Sequence, residues 1–173
     1  NVVRETYYDI NGNAGANATG IVTVVRDYDD AKHVVRYAYL DAEEQPMAVN
    51  GVYQMVQGYD ENGNLTEETV LDGEGNRTLH PDGWCEHRTT FDKKKQKVSE
   101  RWYDVEGKPM LLKDSYSGID RAYDENGNVV RETYYDINGN VGANASGIIT
   151  VVRDYDDAKH VIRYAYLDAG DQP

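Results

Sequence analysis

Short runs of β-branched and aromatic residues, each closed by an Asp, recur along the whole chain. Val129–Tyr135 and residues 148–152 are two examples, and both contain neither Gly nor Pro. Neither run is long enough to form a stable helix by itself. The pattern therefore predicts β-strands, and eleven such strands fit the chain.

The runs repeat with a period of about 32 residues. The aromatic-Asp pairs that open a turn lie 31, 32, 32 and 32 residues apart, at Tyr28-Asp29, Tyr59-Asp60, Phe91-Asp92, Tyr123-Asp124 and Tyr155-Asp156. A longer repeat contains these short ones, because 40 of the 46 positions from 1 to 46 recur at an offset of 127. A fixed period of this length is typical of tandem-repeat proteins.

The chain therefore reads as a single repeat array over residues 1–173. Its repeat units fall at approximately 1–27, 28–58, 59–90, 91–122, 123–154 and 155–173, and the first and last are partial. The pattern opens and closes inside a unit, without a signal-like segment. We expect the array to be part of a longer protein.

Each unit contains a second Asp that follows an aromatic or aliphatic pair. Asp at the first position of a turn accepts backbone N–H groups, so we assign that role to Asp9, Asp29, Asp41, Asp60, Asp72, Asp92, Asp104, Asp124, Asp136, Asp156 and Asp168. Asn-Gly pairs occur at Asn11-Gly12, Asn62-Gly63, Asn126-Gly127 and Asn138-Gly139. Such pairs favour positive φ values and predict hairpin turns of the primed type.

These elements predict an all-β fold of tandem antiparallel β-hairpin repeats that forms an elongated sheet or a β-solenoid. A single hairpin is marginally stable in water, so each unit needs its neighbours to cover its aromatic face. Neighbouring repeats of the same chain are therefore expected partners. Looser links at residues 47–50, 77–82, 110–114 and 141–146 are expected to carry the chain between hairpins.

Composition and charge narrow the choice of partners. Fifteen Tyr accompany one Phe and two Trp, and only 39% of residues are hydrophobic, which indicates a shallow core. The formal charge of −13 disfavours nucleic acid and anionic membranes. No apolar run approaches the roughly 20 residues of a membrane-spanning helix, so no membrane insertion is expected.

Aromatic side chains are the candidate ligand-binding groups, since indole and phenol rings combine an apolar face with a polar handle. The candidates are Trp84, Trp102, Tyr103, Tyr116, Tyr134 and Tyr135. The tyrosines equally suit a ladder that packs the sheet, and each Trp equally suits a filler between units. The basic run of residues 93–97 is expected to decorate an exposed turn, with docking of an acidic partner as the alternative.

The sequence predicts no catalytic residue, cofactor or metal site. His80, Cys85 and His87 are close in sequence, but other units carry unrelated residues at these positions. There is no Cys-x-x-Cys pair, phosphate-binding Gly loop or Ser nucleophile elbow. Residues 60–64 lack the alternating oxygen ligands and distal Glu of an EF-hand loop.

Two resemblances suggest a function. Residues 59–65 and 123–129 resemble the Tyr-Asp repeats of bacterial Rhs and teneurin-type proteins, and Asp82-Gly83-Trp84 is similar in style to Gram-positive cell-wall and glucan-binding repeats. In the latter, hairpins stack into a solenoid and sugars bind between units. The resemblances imply a non-catalytic, extracellular bacterial surface module that binds polysaccharide or cell-wall glycan. The alternatives are a purely structural stalk or scaffold and a segment of an Rhs-like toxin-encapsulating shell.

Overall fold

The computed structural model describes residues 1–173 and is all-β, which confirms the predicted class of antiparallel hairpins. Its strands are β1 Val2–Thr6, β2 Thr23–Tyr28, β3 Val34–Leu40, β4 Gln54–Tyr59, β5 Leu65–Leu71, β6 Glu86–Phe91, β7 Lys97–Tyr103, β8 Gly118–Tyr123, β9 Val129–Tyr135, β10 Thr150–Tyr155 and β11 Val161–Leu167. No helix in the structure is long and apolar enough to span a membrane.

Strands that follow one another along the chain pair antiparallel, from β1 to β5 and again from β7 to β11. Six-residue strands alternate with seven-residue strands from β2 onward. The pairing is irregular at the same point in four hairpins, immediately before Tyr28, Tyr59, Tyr123 and Tyr155. The sequence repeat is thus also a repeat of the hydrogen-bonding pattern.

The chain divides into two compact units, residues 1–86 and 87–173, called here the N-terminal and C-terminal halves. The core of the N-terminal half consists of Val52, Met55 and Val70, against which Tyr37 and Trp84 pack. In the C-terminal half the buried apolar residues are Trp102, Ile119 and Val151. Both cores are small, as the low apolar content indicates.

The aspartate turns share one hydrogen-bond pattern. Asp136 Oδ1 accepts the N–H groups of Asn138 at 2.8 Å and Asn140 at 2.9 Å, and the Gly139 N–H donates to the Asp136 carbonyl at 3.1 Å. Equivalent bonds occur at Asp9, Asp29, Asp41, Asp60, Asp72, Asp92, Asp104, Asp124, Asp156 and Asp168. One carboxylate therefore holds the backbone of each of these turns.

The prediction of primed turns at the four Asn-Gly pairs is wrong. Only the Gly has a positive φ, such as 83° at Gly12 and 78° at Gly139, while the preceding Asn does not. This is a type I turn followed by one left-handed residue. The physical reason is the aspartate three residues before the Gly, since its carboxylate holds two N–H groups and fixes the type I geometry.

A primed turn occurs instead at Asn50-Gly51, within a predicted looser link. Their φ values are 51° and 81°, and Val49 and Val52 exchange backbone hydrogen bonds of 2.9 and 3.1 Å. Ala48 stands where the other turns have Asp. Without a capping carboxylate, Asn-Gly adopts the conformation that its own propensity favours.

The other predicted loose links also contain ordered turns, which corrects that expectation. A third turn occupies residues 17–21, 49–52, 80–84, 112–116 and 144–148. Asn144 Oδ1 accepts the N–H groups of Ser146 and Ile148 at 3.0 Å, whereas His80 Nδ1 accepts the Asp82 N–H at 3.1 Å. A complete repeat unit therefore has three turns, and the cap of the third varies in residue type.

Candidate functional site

Four aromatic rings form a continuous row in the C-terminal half, called here the ring ladder. His87 stacks on Trp102 with ring centres 5.0 Å apart, Trp102 meets Tyr116 edge-on at 5.5 Å, and Tyr116 meets Tyr134 edge-on at 5.1 Å. Such edge-on and offset pairs add to the energy of burial. The ladder unites three candidate ligand residues, Trp102, Tyr116 and Tyr134.

The ladder restricts what those rings can bind. Trp102 is only 8% exposed and one of its faces is covered by His87, so little of this ring is open to a ligand. Burial, followed by a hydrogen bond to Glu132, raises the pKa of Tyr134 to about 12. Burial likewise raises the pKa of Tyr116. These rings pack the sheet.

Trp84 lies in the N-terminal half and is partly buried. It stacks on His80 with ring centres 4.5 Å apart. It also packs against the core cluster of Val52, Met55 and Val70. Trp84 thus packs between the third turn and the core of the N-terminal half.

A chain of alternating charges crosses the strands beside the ring ladder. Glu100 on β7 contacts His87 at 3.1 Å and also pairs with Arg121 on β8. Arg121 reaches Glu132 on β9 at 3.1 Å, and Arg153 on β10 reaches the same carboxylate at 3.4 Å. The hydrogen bonds from His87 and Arg121 hold the pKa of Glu100 well below its ordinary value.

The other face of these strands places Tyr103 and Tyr135 next to arginines. The Arg101 guanidinium lies 4.4 Å from the centre of the Tyr135 ring, and that of Arg88 lies 4.5 Å from the Tyr103 ring. Gly118 stands between Arg101 and Tyr135 in the strand register. A Cβ there would approach the Arg101 side chain to 2.5 Å, so glycine leaves the space in which the arginine lies.

Tyr103 and Tyr135 line one cavity of about 210 Å³, called here the turn groove. Pro109 adds apolar surface, while Arg101, Ser117 and Asn138 contribute polar groups. The two tyrosines are 32 residues apart and hold equivalent positions in successive units. The groove is therefore a feature of two neighbouring repeats and requires both.

Sequence reasoning missed Arg101, Ser117, Gly118 and Asn138. The sequence did indicate the groove at one position, the residue before the second Asp of each unit. Residues 103 and 135 are the only place where two successive units both have Tyr there. The other units have Tyr8, Leu40, Leu71 and Leu167 there. By contrast, no sequence pattern indicated that Gly118 leaves space for the Arg101 side chain.

The remaining cysteine and histidine candidates have separate structural roles. Cys85 is fully buried with its Sγ 3.8 Å from the Val70 carbonyl, and burial raises the pKa of its thiol. His80 caps a turn and His87 belongs to the ring ladder. No group of three or more His, Cys, Asp or Glu side chains is arranged to hold a metal ion.

The basic run lies in an aspartate turn of the C-terminal half. Lys95 adopts the left-handed conformation with a φ of 62°, as do Lys32 and Lys159 at the equivalent position of other units. Lys94 Nζ donates to the carbonyl of Glu125 at 3.1 Å. The run thus connects the turns of two successive repeat units.

No protein-family model matches the chain, and a search of curated proteins gives no significant match. The similarity to Tyr-Asp repeats stays a prediction from the sequence pattern.

Proposed function

We propose that this chain is a non-catalytic repeat module of a bacterial cell surface that binds glycan in the turn groove. The observation that supports this most is the pair of equivalent tyrosines, Tyr103 and Tyr135, in one cavity with Arg101, Ser117 and Asn138. Sugars present apolar C–H faces and a rim of hydroxyls, so tyrosine rings with nearby polar groups suit them. The surface location follows from the Tyr-Asp resemblance.

The size of the groove sets the size of the ligand. Its volume of about 210 Å³ is below the roughly 300–1,000 Å³ of pockets that bury drug-sized molecules. It therefore accommodates one sugar residue, and each site binds weakly. Equivalent grooves in a longer array would gain affinity through simultaneous engagement of one polysaccharide.

The charged groups of the groove support binding over catalysis. Arg101 pairs with Asp120 at 2.8 Å and donates to the carbonyls of Glu100 and Ile119. The Asp136 carboxylate accepts turn N–H groups, which lower its pKa, that of Asn140 most strongly. A general acid in glycoside hydrolysis needs a raised pKa, which is the opposite of what this site provides.

A purely structural scaffold is the second candidate, and a different set of contacts favours it. The hydroxyls of Tyr59, Tyr123 and Tyr155 donate to the first carbonyl of the preceding long strand, at 3.1, 2.7 and 3.0 Å. These bonds tie each hairpin to the one before it. On this alternative the tyrosines only stabilise the repeat array and bind no ligand.

Glycan titration of matched variants separates the two candidates. Leu occupies the groove position in other units, at Leu40, Leu71 and Leu167, so Tyr103→Leu and Tyr135→Leu keep a side chain that the fold accepts. We expect each to weaken binding of soluble cell-wall polysaccharide at least about tenfold, as for loss of an aromatic anchor. Chemical-shift titration by NMR measures this.

Tyr8→Leu is the control, since Tyr8 holds the same repeat position but is 67% exposed and lies outside the groove. It should leave binding unchanged. An intact chain that binds no member of a panel of cell-wall and host polysaccharides would reject the glycan proposal and favour the scaffold.

A further inference from the structure

β11 carries large apolar side chains that are open to solvent. Its exposed side chains are Val161 at 47%, Ile162 at 66%, Tyr164 at 62% and Tyr166 at 53%. The same segment occurs 127 residues earlier as β3, with Val34, Val35, Tyr37 and Tyr39 at these positions, and there none of the four is exposed. Only Val35 and Ile162 differ between the two, so the difference lies in what covers the strand.

In the N-terminal half, β4 and the turn before it cover β3. Tyr37 stands opposite Met55 in the strand register and packs against Val52, Met55 and Val70. The Tyr39 N–H donates to the Tyr53 carbonyl at 3.0 Å. The covered strand β3 therefore shows which kinds of side chain pack on a strand of this sequence.

The aromatic pair on β11 already has the geometry of the covered strand. The Tyr37 and Tyr39 rings lie 5.5 Å apart at 61°, and the Tyr164 and Tyr166 rings lie 5.6 Å apart at 65°. A partner would find these rings in place, so docking would require little reordering of them.

Polar groups on β11 and in the turn before it are the same as those that contact β4 from β3. Arg36 bonds both Asp27 and Gln54, the latter at 2.7 and 3.1 Å, whereas its duplicate Arg163 bonds the equivalent Asp154 at 2.6 Å. His33 stacks on Tyr59 at 4.5 Å. Its duplicate His160 is 77% exposed beside Asp156.

We propose that β11 is an acceptor edge for one further β-hairpin of this repeat type, with Gln, Met and Tyr at the positions of Gln54, Met55 and Tyr59. Its apolar side chains would enter the cavity of about 540 Å³ that Ile162, Tyr164 and Tyr166 help to line. The exposed edge strand β1 of a second copy does not fit, because its sequence, Val-Val-Arg-Glu-Thr, has neither the Gln nor the Met.

Extending the chain in register tests the proposal. Gln172-Pro173 corresponds to Gln45-Pro46 in the duplicate, so a copy of residues 47–72 joined after Pro173 places a β4-β5 hairpin next to β11. We expect amide hydrogen exchange at the edge of β11 to slow at least about tenfold. Solvent exposure of Tyr164 and Tyr166 should fall in the same chain.

The control is the same extension with Gln54→Asp and Met55→Asp in the appended copy alone, which leaves residues 1–173 intact. It should exchange at β11 as the unextended chain does. The proposal is overturned if the unaltered extension leaves β11 unprotected, or if the control protects β11 equally well.

Discussion

At the scale of single residues, each turn contains at least one residue in the left-handed conformation. Where Gly is absent, Lys32, Glu44, Lys95, Ser115, Lys159 and Asp171 take it, with φ between 61° and 69°. A side chain in this conformation costs roughly 1–2 kcal/mol relative to glycine. The pattern of hydrogen bonds around the turn is strong enough to impose it.

Lys32→Gly and Lys159→Gly should therefore each stabilise the protein by about 1 kcal/mol. Urea unfolding measures this as a change in the free energy of unfolding. Lys93→Gly is the control, because Lys93 is exposed in the same kind of turn but has no positive φ. An equal gain at Lys93 would show that the left-handed backbone is not the source.

Two glycines with positive φ should differ in their tolerance of a side chain. A Cβ at Gly139 meets nothing within 4 Å, whereas a Cβ at Gly51 would lie 2.6 Å from Pro81 Cγ. Gly139→Ala should cost about 1 kcal/mol from backbone strain, and Gly51→Ala about 2–3 kcal/mol because overpacking is added. Equal losses in thermal unfolding would contradict this reading of the primed turn.

The aspartate turns and the strands could be predicted because one residue type carries the decisive bond. A single Asp supplies the acceptor, and the residue three positions later supplies the left-handed conformation. The third turns could not be found in this way, since Asn17, His80 and Leu112 open equivalent turns with unrelated side chains. In the turn groove, Tyr103 and Tyr135 could be predicted from their position in the repeat, whereas Arg101 could not, because its place depends on its side chain lying against Gly118.

At the scale of elements, the first residue of each six-residue strand is buried, and a different contact accommodates it in most of them. Thr23 and Thr150 each bond a threonine on the neighbouring strand, at 3.0 and 3.1 Å. Gln54 accepts from Arg36, and Glu86 pairs with Arg77 at 2.6 Å. The fifth such residue is Gly118, which makes room for Arg101. These matched pairs fix each hairpin to its own neighbour.

The alternating charges of Glu100, Arg121 and Glu132 lie on the opposite face of these strands. They should make the stability of the protein depend on pH. Glu100 is about 10% exposed and paired with His87 and Arg121, so Glu100→Gln should cost about 3 kcal/mol at neutral pH, as for breaking a buried pair. Glu106→Gln is the control, since that carboxylate is 65% exposed and its loss should have little effect. Urea unfolding at pH 7 gives both values.

The direction of the pH dependence follows from the lowered pKa of Glu100. A carboxyl whose pKa is lower in the folded state stabilises fully above its unfolded pKa of about 4.3, and that contribution is lost as the pH falls below this value. The intact protein should therefore lose more stability between about pH 5 and 3 than Glu100→Gln does. Identical slopes would show that the charge chain does not act as described.

At the scale of the whole molecule, the strands that contact one another are always neighbours in sequence. Stability should then be a sum of terms for single units and for the interfaces between adjacent units. Loss of one hairpin should remove its own terms and leave distant hairpins unaffected. A protein folded around one central core would instead lose its structure as a whole.

Hydrogen exchange on a chain shortened to residues 1–145, without β10 and β11, tests this claim most directly. The account predicts that β1–β5 keep the exchange rates of the intact chain, while protection falls in β9, which loses its partner β10. Loss of protection throughout β1–β5 would contradict it.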